Sequence, residues 1–200
     1  MHGMRVLSGS IAASVLVGCA AALVPESNDP ATKLNQALAL WKQGRVIPAE
    51  RLIGDAIELA REQKNYLRLG EAQLTYAQFL KSSAFQNKFF DDKRAKLGGP
   101  DGVRDEARRY LRDAEKSYVD AEPAALSAKD SFAISNLWIR RSLIYQELDE
   151  RPQACEALRN ALATHKGALE RNPGAKVALP AGVKTFDEFV QRQRTTIGCS

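Results

Sequence analysis

Few side chains in this 200-residue chain have the types and spacing that chemistry requires. A zinc site needs a cluster of about four Cys, His or carboxylate ligands, and a catalytic cysteine needs a base to draw its proton. The chain has three cysteines, Cys19, Cys155 and Cys199, and beyond residue 2 its only histidine is His165. That inventory predicts no metal site, and a lone histidine on a helix reads as a surface residue. A G-x-S-x-G nucleophile elbow, a G-x-x-x-x-G-K-S/T phosphate loop and an H-E-x-x-H helix are all missing. Paired carboxylates can act as acid and base without a local motif, which leaves Asp91-Asp92 and Asp149-Glu150. Adjacent side chains on a helix point apart, and both pairs stand among charges that keep them hydrated. The expectation is a non-enzyme with no catalytic residue and no cofactor.

The elements that carry these residues begin with a leader. Arg5, an apolar stretch from Ile11 to Val17 and the small Gly18 form the three parts of an export signal, and the stretch is shorter than the about 20 apolar residues that span a bilayer. It closes on Leu16-Val17-Gly18-Cys19, which resembles the lipobox of bacterial lipoproteins. The resemblance implies a diacylglycerol on the Cys19 thiol, removal of residues 1–18, and an N-acyl chain such as palmitate on the new amino group. Each buried acyl methylene contributes about 0.8 kcal/mol, so two or three chains anchor far more firmly than one. By the same resemblance Ala20, standing where Asp would oppose transfer, directs the protein to the periplasmic face of the outer membrane. Residues 19–29, with Pro25 and no helical period, read as a tether.

Of the 29 basic side chains only Arg5 is lost with the leader, leaving 28 against 24 acids. Such a mildly basic surface suits anionic glycans, lipid head groups or acidic proteins, and outside the cytoplasm no nucleic-acid partner is expected. About 170 residues after the tether can build one domain with a sizeable core. With Cys19 assigned to lipid, Cys155 and Cys199 are an even pair in an oxidising compartment, and a disulfide between them is expected. The alternative is two free thiols, one in a helix and one at a frayed end.

From Asp29 onward apolar residues recur at helical spacing and no run of period-two alternation stands out, which predicts an all-α domain over residues 30–200. Asp29-Pro30 opens a helix with the stripe Leu34, Ala37, Leu38, Trp41 that Gly44 ends. Pro48 is expected to open a second helix, and a third covers Tyr66 to Lys81. Residues 82–102 read as an insertion whose Phe85, Phe89 and Phe90 pin it to the core or form a binding patch. Asp101 is the expected cap of a helix from about Val103 to Ala121. Ser127 with Asp130 and Thr185 with Glu188 have the spacing of capping boxes, the first before a helix ending near Leu148, the second before a final helix in which Phe186, Phe189 and Val190 close the core. Between them Pro152 starts a helix that reaches about Arg171.

The paired helices resemble tetratricopeptide repeats (TPR). Ala37, Gly44, Ala49 and Ala56 stand at the spacing of the repeat's small positions, and Trp138, Tyr145, Ala154 and Ala161 match its tryptophan, tyrosine and two alanines. The middle pair, with Ala77 and Leu80 then Ala107, Leu111 and Ala114, is interrupted by the 82–102 insertion. The resemblance implies antiparallel helix pairs stacked as a short right-handed solenoid, with a capping helix that a Cys155–Cys199 bridge would fasten. It places Leu38, Trp41, Lys42, Gln78, Lys81, Leu143, Gln146 and Glu147 near a concave partner-binding groove, although Trp41 lies in a stripe more typical of core. Lytic transglycosylases are also helical outer-membrane lipoproteins and use a Glu followed by Ser, but the only Glu-Ser here is Glu26-Ser27 in the tether. The function expected is that of an adaptor or scaffold for an envelope protein or peptide. A binder of peptidoglycan or another small anionic ligand is the alternative, and an envelope enzyme the remote one.

Overall fold

The computed structural model describes residues 26–175 and 177–199, which hold eight α-helices, one 3-10 turn and no strand. The helices are α1 (Pro30–Lys42), α2 (Val46–Glu62), α3 (Tyr66–Lys81), α4 (Asp91–Lys96), α5 (Gly99–Ser127), α6 (Ser131–Glu147), α7 (Arg151–Arg171) and α8 (Phe186–Ile197). The all-helical expectation is thereby met. The leader, Cys19 and most of the tether lie outside the described residues.

Three antiparallel pairs dominate the packing: α1 with α2, α3 with α5, and α6 with α7. Small residues let each pair close, because a methyl group keeps backbones near one another. Ala37, Ala49 and Ala56 are fully buried in the first pair, Ala77 and Ala114 in the second, and Ala154 and Ala161 in the third. Four connections share one geometry, three residues with a left-handed centre: Gly44, Lys64, Lys129 and Asp149. In each the residue after the centre donates its N–H back across the helix end, Arg45 to Leu40 O, Asn65 to Ala60 O, Asp130 to Ala125 O and Glu150 to Tyr145 O, at 2.8–2.9 Å. A left-handed conformation costs an L-residue about 1–2 kcal/mol, partly offset by the greater freedom glycine loses on folding, so Lys129→Gly should stabilise by about 0.5 kcal/mol in urea unfolding.

Several helix ends differ from the expectation. Helix α2 starts at Val46, two residues before Pro48, because the first-turn N–H groups have no helical partner and proline there sacrifices nothing. Helix α5 starts at Gly99 instead of Val103, so Asp101 sits inside the first turn and pairs with Arg104 at 2.9 Å. It continues past Ala121 and through Pro123 to Ser127, which makes Ser127 the end of α5 and not a cap. Asp130 alone caps α6, accepting from Ala133 N at 2.9 Å. At α8 the Thr185 hydroxyl accepts from Glu188 N, while the Glu188 carboxylate turns to Lys184 N instead of closing on Thr185. The tether also ends earlier than residue 29: Asp29 caps α1 through Ala31 and Thr32, and Asn28 O accepts from Gln63 Nε2 at 2.8 Å.

The insertion is a packed element. Phe85 and Phe90 stack at 5.0 Å and meet Phe79 edge-on at 6.0 and 5.6 Å, burying both rings. Phe85 and Phe90 thus pin the insertion to the core, whereas Phe89 does not and is 60% exposed. Arg94 donates to the carbonyls of Phe85 and Asn87, and Lys93 donates to Glu50 and to the Tyr76 hydroxyl. Burial and the adjacent Glu50 carboxylate push the Tyr76 phenol far above its ordinary range, so it serves as a fixed donor and not as a nucleophile.

Candidate functional site

A concavity lies between the first turns of α3 and α6, with the C-terminal part of α5 as its floor. Tyr66 and Leu67 form one wall, Ala133, Asn136, Leu137 and Arg140 the other, and Ala121, Ala124 and Ala125 the base of a cleft of about 560 Å³. The α2–α3 turn brings Gln63, Lys64 and Asn65 to its rim. Tyr66 and Leu67 are 40% and 37% exposed, a paired apolar surface at a helix start where polar residues are usual.

One carboxylate organises the wall. Glu71 on α3 pairs with Arg68 on its own helix at 2.7 Å and with Arg140 on α6 at 2.6 Å. The Arg140 guanidinium also lies 5.8 Å from the centroid of the buried Tyr118 ring, whose phenol burial pushes up to about 12. Of this cluster only Arg140 lines the cleft, and it shares the Glu71 carboxylate with Arg68. Sequence reasoning missed the cleft, since exposure at Tyr66 and Leu67 follows from how α3 and α6 meet. The legible hint was the alanine-rich stretch 121–125, whose small side chains leave the hollow.

The residues expected to line a groove are only partly brought together. Lys81 on α3 pairs with Glu147 on α6, and both line a small recess with Arg104, Arg108 and Asp149. Trp41 is half-buried and meets Phe79 edge-on at 5.1 Å, which ties it to the core. Leu38 is half-buried, whereas Lys42, Gln78, Leu143 and Gln146 are exposed, and Gln146 borders a different recess with Arg151 and Ile197. The Lys81–Glu147 ends of α3 and α6 lie opposite the Tyr66–Leu67 cleft.

His165 corrects the surface expectation. It is 3% exposed, stacked on Phe186 of α8 at 3.9 Å and edge-on to Phe132 of α6 at 5.4 Å. Burial lowers its pKa below the ordinary 6.5, and Asp187 opposes that only in part. The unfolded chain therefore binds this proton more readily, so the stability His165 supports is full above about pH 6.5 and is lost as pH falls toward the folded pKa. Urea unfolding at pH 7.5 and 5.5 should show a lower midpoint in acid, and His165→Phe should shrink that difference.

Cys155 and Cys199 are joined, with Cα atoms 5.7 Å apart, tying the end of α8 to the start of α7. Beside the bond Arg151, Arg159 and Arg194 border a recess of about 420 Å³. Of the paired carboxylates, Asp91 and Asp92 are exposed, Asp91 pairs with Arg94, and Glu150 pairs with Arg112, so each side chain is solvated or neutralised. Among the described residues no group of three or more His, Cys, Asp or Glu could hold a metal ion, and no helix is long and apolar enough to cross a membrane.

No family model matches this chain, and no curated protein or solved structure does either. Any functional reading therefore rests on residues and geometry alone.

Proposed function

We propose that this chain is a lipid-anchored adaptor on the periplasmic face of the outer membrane. Cys19 carries the lipid, and TPR-like helix pairs bind another envelope protein or peptide. The observation that carries the reading is the alignment of the first helix of each pair: Trp41 on α1 meets Phe79 on α3, and Lys81 on α3 meets Glu147 on α6. First helices that touch in succession present one continuous face, which is the use a short solenoid makes of its repeats. The adaptor requires no cofactor beyond its own acyl chains.

Pull-down from detergent-solubilised envelope tests it. A protein should co-purify with the lipidated chain above a Cys19→Ala control and be reduced by Lys81→Glu, which turns the Lys81–Glu147 pair repulsive. Absence of any protein above the control would remove the reading. The recess bordered by Arg151, Arg159 and Arg194 favours a second one, binding of peptidoglycan or another anionic ligand. Salt-sensitive co-sedimentation with purified peptidoglycan, lost in Arg159→Glu, would select it.

A further inference from the structure

We propose that the end of the domain built from the 63–65 and 128–130 turns is a membrane-contact surface, where Tyr66, Leu67 and Leu126 enter the head-group region of a phospholipid bilayer. The inference rests on the reading of Cys19 as the lipid anchor and adds an orientation to it. Only six residues separate Cys19 from Glu26, which limits the span between them to about 25 Å even when fully extended. The described chain enters at one end of the domain and is fastened there, since Asn28 O accepts from Gln63 Nε2. Gln63 is itself on the rim of the Tyr66–Leu67 cleft. The short tether thus delivers this end, and not the opposite one, to the lipid surface.

The side chains at this end suit such a contact. Leu126 is 56% exposed, and with Tyr66 and Leu67 it gives three exposed large apolar residues beside two turns. Lys64 and Lys129 occupy the left-handed centres of those turns, are exposed, and among the described residues have no ion-pair partner. An aromatic ring and apolar side chains at head-group depth, with lysines reaching for phosphate, is the distribution favoured at a bilayer interface. Exposed Glu62 and the half-buried Glu122 also lie near these turns, so apolar insertion and not net charge supplies most of the attraction. Such a contact is weak alone, but a tether this short raises its effective concentration.

Lipidated full-length protein in vesicles of phosphatidylethanolamine and phosphatidylglycerol, doped with head-group nitroxide lipid, tests the orientation. Tyr66→Trp should add strongly quenched fluorescence over the native tryptophans, while Ile47→Trp should add little. Ile47 is 51% exposed in the first turn of α2, at the far end of a 17-residue helix about 25 Å long. Leu67→Asp with Leu126→Gln should reduce the Tyr66→Trp quenching at least threefold. Equal quenching at both positions, stronger quenching at Ile47→Trp, or no effect of the double variant would overturn the proposal. So would protection of Tyr66→Trp by an added envelope protein fraction but not by vesicles, which would give this end to a protein partner. Intact mass reports the anchor separately: a chain whose Cys19 carries no lipid overturns the orientation together with the anchor, whereas a lipidated chain with equal quenching at both positions overturns the orientation alone.

Discussion

Replacing Cys155 and Cys199 together by serine should lower the melting temperature by about 10 °C. The bond closes a loop spanning a sequence separation of 44, for which loss of chain entropy in the unfolded state contributes about 4 kcal/mol. In a domain of this size each kcal/mol moves the midpoint by about 2–4 °C. The effect has a structural focus, because α8 packs mainly on α7, through Phe186 and Val190 against Leu158 and Ala161. Calorimetry with and without reductant checks it: reductant should reproduce the shift in the native protein and do nothing to the double serine variant. An unchanged midpoint in that variant would show that apolar packing holds α8 without the bond.

Gly102→Ala should destabilise by about 3 kcal/mol, the upper part of the range for overpacking. A Cβ at this position would lie 1.5 Å from the Leu97 carbonyl oxygen, and the obstacle is backbone, which cannot rotate aside. The first turn of α5 must then unwind, loosening Val103 from the core and the insertion that precedes it. Gly54→Ala provides the opposite control, since nothing lies within 4 Å of the added methyl in the interior of α2. That change should stabilise by about 0.5–1 kcal/mol through helix propensity. Urea midpoints moving in the same direction for both variants would contradict the assignment of space around Leu97.

The helix pairs were legible because small residues recur where backbones approach: Ala37 with Ala49, Ala77 with Ala107 and Ala114, Ala154 and Ala161. A period survives in the letters when it reflects local geometry. Turn centres were harder, since Lys64, Lys129 and Asp149 adopt a conformation that glycine would advertise. The start of α5 was misplaced for a related reason: Gly98-Gly99-Pro100 reads as a breaker, yet Gly98 and Gly99 have positive φ and Pro100 fits a first helical turn. His165 was misjudged because its burial comes from α8, about twenty residues further along. The cleft followed the same logic. Tyr66 and Leu67 look like ordinary apolar helix positions, and only the meeting of α3, α5 and α6 leaves them uncovered. Lys81 and Glu147, two of the residues that the repeat register puts near a groove, are ion-paired, a contact between helices that the register does not specify.

The described residues between Arg171 and Phe186 form no regular element, and most are exposed. Cys155 precedes that stretch and Cys199 follows it, so the chain there is closed into a ring. A single protease cut anywhere in the stretch would yield two fragments that still migrate as one band until reductant is added. Helix α8 is in this sense retained against nicking, where a severed end cap would otherwise diffuse away.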